Sequence, residues 1–126
     1  MSSVPDFGFA VPAGYDWIVS HGLVGFTEFS ALEPWYLLGA ADIYSVQERW
    51  PKSRDPLLVA FARRQDNDDV ACFELDAAKR TVLGVRLIHA DTAAGYDVLD
   101  WFGSFWDWFA SAIRDVRESA EASEQR

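Results

Sequence analysis

Cysteine is nearly absent: Cys72 is the one instance in 126 residues. No intrachain disulfide can form, and no four-cysteine zinc site can be built. That usage suits a reducing compartment. Histidine is almost as scarce, with His21 and His89 alone, which leaves few imidazoles for general-base chemistry or metal ligation. Lysine and arginine total 11 against 20 acidic residues, a formal charge of −9. Binding to nucleic-acid phosphates needs clustered cations, and this balance opposes it. An anionic membrane surface repels such a chain, whereas a basic protein is attracted and steered toward it. No stretch approaches the roughly 18 uninterrupted apolar residues of a membrane helix. Met1 to Asp6 lacks the basic start and apolar run of a signal peptide. The nucleophile elbow Gly-x-Ser-x-Gly, the phosphate loop and the dinucleotide fingerprint are missing as well. These absences lead us to expect a cytoplasmic protein that is not an enzyme and needs no cofactor, no nucleic acid and no membrane.

What the chain does have is apolar mass. Half of its residues are hydrophobic and 15% are aromatic, with six tryptophans. That is enough to offset the entropy of ordering the chain, so a folded body is expected. Without repeats or a low-complexity linker, residues 1–126 read as one domain.

Periodicity supplies the elements. After Pro12-Ala13-Gly14, Tyr15, Ile18 and Val19 recur at helical spacing with Trp17 beside them. Asp16 lies in the first turn, where the helix dipole favours it, and Gly22 is the expected stop. Leu23 to Phe29 reads as a strand, and Trp35 to Leu38 is a second short apolar run. A helix is expected from Ala40 to Trp50, with Ile43, Val46 and Trp50 in phase and Pro51 ending it. Pro56–Ala62, Val70–Leu75 and Thr81–His89 then form three strands joined by short turns, which makes them antiparallel. Ala71, Phe73 and Leu75 share one face of the middle strand.

The C-terminal helix carries the sharpest signal. Ser104-Phe105-Trp106-Asp107 fits a capping box. At about 100° per residue, Phe105, Trp108, Phe109, Ala112, Ile113 and Val116 form an apolar face. Asp107, Ser111, Arg114, Asp115 and Glu118 fall opposite, and the tail from Ser119 is expected to fray. The expected fold class is α+β: a largely antiparallel sheet with a central β-meander and N- and C-terminal helices packed on one face.

Three segments together resemble the SUKH superfamily, the Smi/Knr-type group of yeast cell-wall regulators and bacterial toxin-immunity proteins. Val11-Pro12-Ala13-Gly14-Tyr15-Asp16-Trp17-Ile18 is similar to the family's opening Leu-Pro-x-x-Tyr-x-x-Phe-Leu helix. Leu57–Ala62, an acidic turn and Ala71–Leu75 resemble its central hairpin. Gly103-Ser104-Phe105-Trp106-Asp107-Trp108-Phe109 resembles its closing Ser-Phe-x-x-Phe-Leu helix. They occur in the family's order across most of the chain. Two departures stand out: the glycine-rich stretch after the first helix shrinks to Gly22 and Gly25, and the acidic turn contains no glycine. The resemblance implies a protein-binding domain with no catalytic residues to carry over. In bacteria it implies neutralisation of a cognate toxin, often a nuclease.

Few residues invite a chemical role. Asp66, Asp68 and Asp69 gather in one turn. A calcium loop of the EF-hand type needs glycine at its sixth position and glutamate at its twelfth, and those are Ala71 and Ala77 here. A solvated turn and a partner-binding acidic edge remain as readings. Cys72, in mid-strand, reads as a small core residue rather than a reactive thiol. His21 adjoins Ser20, but neighbours on a helix point about 100° apart, so no Ser-His device follows. Trp17, Trp101 and Trp108 are expected in the core. Trp106 falls at the margin of the apolar stripe and is a candidate anchor for a partner. Trp35 and Tyr36 are a weaker case of the same kind. The expected function is stoichiometric occlusion of a basic cognate toxin by Asp66, Asp68, Asp69, Glu74 and Asp76 with Trp106. The rivals are a scaffold domain without a toxin, or a small-ligand binder or enzyme whose polar groups converge on a cavity.

Overall fold

The computed structural model describes residues 9–22, 34–39, 42–46, 58–64, 69–78, 81–92 and 95–124. Helix α1 spans Ala13–Ser20 and helix α2 spans Phe105–Glu124. Between them lie six strands: β1 Trp35–Leu37, β2 Tyr44–Ser45, β3 Leu58–Arg64, β4 Asp69–Leu75, β5 Val82–Thr92 and β6 Gly95–Phe102. They form one sheet in the order β1-β3-β4-β5-β6, with β2 also paired to β3. Every one of these ladders is antiparallel. The fold is α+β, as expected, with β3 to β6 running as a meander.

Alternation along β4 builds the two-sided interior. Ala71, Phe73 and Leu75 enter the core beneath the helices, while Val70 and Cys72 enter a second cluster on the other face. On β3 the register with β4 shifts between Ala60 and Ala62. That irregularity places both Phe61 and Ala62 on the helix side, where alternation alone admits one of them. Phe61 stacks on Phe73 with ring centroids 4.1 Å apart. Tyr15 of α1 meets Phe73 edge-on at 5.1 Å, and Trp108 of α2 meets Phe61 at 5.0 Å. Offset and edge-on contacts of this kind add to the area they bury. The second cluster joins Val46, Leu58, Ala60, Val70, Cys72 and Ile88, all fully buried, so Cys72 is core as expected.

The helix ends follow their sequence signals. Gly22, just past α1, has φ 73°, the left-handed conformation that suits a glycine stop. At the start of α2, Ser104 Oγ accepts the Asp107 amide at 3.1 Å, which is the forward half of the capping box.

Several expectations need correction. Tyr44–Ser45, inside the stretch expected to be helical from Ala40 to Trp50, pairs with Ala60 and Val59 instead. Ile43 packs on the helix-side core and Tyr44 on the opposite one, an extended alternation that a helix cannot produce. The third strand does not stop at His89 but runs to Thr92. Strand β6 was not anticipated at all. Helix α2 continues through Glu124 rather than fraying from Ser119. On α2, Ile113 is exposed. Asp115, expected on the polar face, is instead partly buried and accepts Trp35 Nε1 at 2.9 Å. Its angle about the helix explains this, because it lies about 20° from Trp108 at 100° per residue. The expected strand Leu23–Phe29 lies outside the described residues.

Candidate partner-binding site

The acidic candidates sit along β4 and its turns. Asp69 opens β4 in register with His89 of β5, and the carboxylate lies 2.8 Å from His89 Nδ1. Glu74, near the other end, accepts a charge-assisted hydrogen bond from Arg86 Nε of β5. Asp76 closes the following turn: its amide donates to the Thr81 carbonyl at 2.9 Å and its carboxylate accepts the Thr81 amide at 3.3 Å. At about 3.4 Å per residue, Asp69 and Glu74 are roughly 17 Å apart along the strand. These acids therefore form no single patch, and each has a partner within the sheet. Asp66 and Asp68 lie outside the described residues.

Trp106 behaves differently. It occupies the first turn of α2 and is 54% exposed. Trp17 on α1 is 56% exposed, which corrects its expected place in the core. The reason is angular: Trp17 lies about 200° from Tyr15 around α1, and Tyr15 and Ile18 take the buried side. The two indoles line a cleft of about 340 Å³ with Ala13 and Gly14.

Gly14 decides how the cleft is floored. A Cβ at this position would come 2.7 Å from Trp106 Cε2, so the indole lies against bare backbone. Phe105 and Phe109 hold the same ring, at centroid distances of 5.5 and 5.7 Å. Trp17 stacks on His21 at 4.0 Å, and His21 Nδ1 sits 2.7 Å from the Trp17 carbonyl. Both rings are thus supported before any partner arrives, which lowers the ordering cost of using them. Among the described residues the lining is Ala13, Gly14 and the two indoles, surfaces that suit apolar or cationic contact.

A second exposed apolar surface lies on the sheet. Trp101 of β6 is 49% exposed, against its expected burial. Its ring rests on Gly84 of β5, where a Cβ would come 2.7 Å from Trp101 Cζ2. Leu83, Val98 and Leu99 are about equally exposed. A hollow of about 230 Å³ includes Gly84, Gly103, Pro12 and Phe105 in its lining.

Trp108 is in the core as expected. Trp35 is also buried, with its indole N–H on Asp115 and the Arg64 guanidinium 3.6 Å from the same carboxylate. Tyr36 is partly buried. Among the described residues, no three His, Cys, Asp or Glu side chains gather as a metal site would require. Nor is any helix there long and apolar enough to cross a membrane. No family model, no curated protein and no solved structure matches the chain.

Proposed function

We propose that this chain is a protein-binding domain of the immunity type, which neutralises a cognate toxin by stoichiometric binding. The observation that carries the reading is the pair of half-exposed, pre-supported indoles, Trp17 and Trp106, flanking one apolar cleft. Large aromatics in such positions are the residues that dominate binding energy at interfaces. The net charge of −9 supports a basic partner. It acts mainly through long-range steering, because Asp69 and Glu74 are already engaged within the sheet. The SUKH-like motifs favour the same role.

The test is genetic. A basic protein captured by this chain is expressed alone and together with it. The proposal expects growth arrest by the partner alone and relief by the wild-type chain. Trp17→Ala with Trp106→Ala should abolish relief while the chain stays folded, each substitution weakening binding by about 2 kcal/mol. A partner that is harmless alone would leave a scaffold and remove the toxin. Full relief by the double variant would remove the cleft.

A further inference from the structure

Among the described strands, β6 pairs only with β5 and so ends the sheet. The outer side of an antiparallel edge presents a row of N–H and C=O groups ready to pair. Edges are commonly blunted by lysine, by proline or by brevity. β6 runs eight residues, Gly95–Phe102, without Lys, Arg or Pro; what interrupts its edge is a register shift against β5 that leaves Leu99 as an extra residue between Val98 and Asp100. It exposes Val98, Leu99 and Trp101 instead. Its charged residues are Asp97 and Asp100. Asp100 is exposed, and its carboxylate accepts the Trp101 amide at 2.8 Å.

We propose that β6 is an augmentation edge, which takes up an extended partner segment of alternating basic and apolar side chains as a seventh strand. Main-chain hydrogen bonds would supply affinity, and the partner's side chains beside Asp100 and Trp101 would supply selectivity. Charge chooses the occupant. A second copy would bring the same two aspartates and another −9 to the seam, and like charges across a ladder are destabilising. A basic segment reverses the sign of both effects. The edge and the Trp17–Trp106 cleft are separate surfaces, with no lining residue in common between that cleft and the hollow beside Gly84.

Hydrogen exchange on the full chain tests this with two synthetic peptides of about seven residues, a strand's length. One alternates Lys with Val and the other alternates Glu with Val. The lysine peptide should slow exchange of β6 amides about tenfold, and the glutamate peptide should not. Asp97→Lys with Asp100→Lys should exchange the two preferences, with circular dichroism confirming the fold. Trp106→Ala should leave the protection of β6 unchanged, which separates this edge from the cleft. Protection confined to α1 and α2 would overturn the proposal, as would a charge-swapped variant that still prefers lysine. Peptide-free protection of β6 that grows with chain concentration, with a doubled sedimenting mass, would overturn it in favour of self-pairing.

Discussion

Tyr15 is fully buried, yet its hydroxyl is satisfied: Oη donates to the Leu38 carbonyl at 3.1 Å. Burial first, and the Asp16 charge second, raise its phenol pKa well above the ordinary value. The folded state therefore holds this proton more tightly than the unfolded chain does. The associated stability is fully present below the unfolded value of about 10 and declines as pH rises from there toward the folded value. Tyr15→Phe should cost about 1 kcal/mol at pH 7 through the lost hydrogen bond. It should also flatten the fall in stability above about pH 10, which urea unfolding midpoints at neutral and alkaline pH will show. An equal alkaline decline in both proteins would place the titrating group elsewhere. Single residues were legible in the sequence where one angle decides them. Tyr15, Trp108 and Cys72 lie inside because they are in phase with their apolar neighbours. The same angular count, applied to Trp17 against Tyr15, puts its indole outside; the general rule that tryptophan is core obscured it. Trp101 is exposed because it lies on an edge strand, and nothing local in the sequence says which strand is the edge.

At the scale of elements, α2 was readable because its start and its stripe agree. Ser104 caps it and Phe105, Trp108 and Ala112 bury one side. Ser104→Ala should lower stability by about 1 kcal/mol, while Ser104→Asp should retain most of it, as thermal or urea unfolding will show. Equal stability of the alanine variant would mean that α2 is held by packing alone. Strand β6 was not readable, since Asp97 and Asp100 break its apolar pattern and Val98, Leu99 and Trp101 are exposed while Phe102 packs on the helix-side core. Tyr44–Ser45 was misread for the opposite reason. Ile43 and Val46 are three residues apart in the sequence, as in a helix, but they belong to opposite faces of one sheet.

Across the whole molecule, the sheet is buried on both faces at β3 and β4 and opens toward β6. Helices were expected over one face; the second cluster on the opposite face follows from Val70 and Cys72 being as apolar as Ala71 and Phe73, a pattern that left the open face undecided. The site was only partly visible. Trp106 was read as a candidate anchor at the margin of the apolar stripe; its pairing with Trp17 across Gly14 arises from how α1 lies against α2, which no single segment encodes. The acidic residues contribute to the field of a molecule carrying −9 charges, so association should slow as salt rises while dissociation changes less.

Affinity capture from the native host, at low and at high salt, with the wild-type chain beside the Trp17→Ala, Trp106→Ala double variant, tests the central claim most directly. The account predicts one basic protein, held in equal stoichiometry by the wild type, released as salt rises and missing from the double variant. A partner retained equally by both chains, or one that is acidic and indifferent to salt, would contradict it.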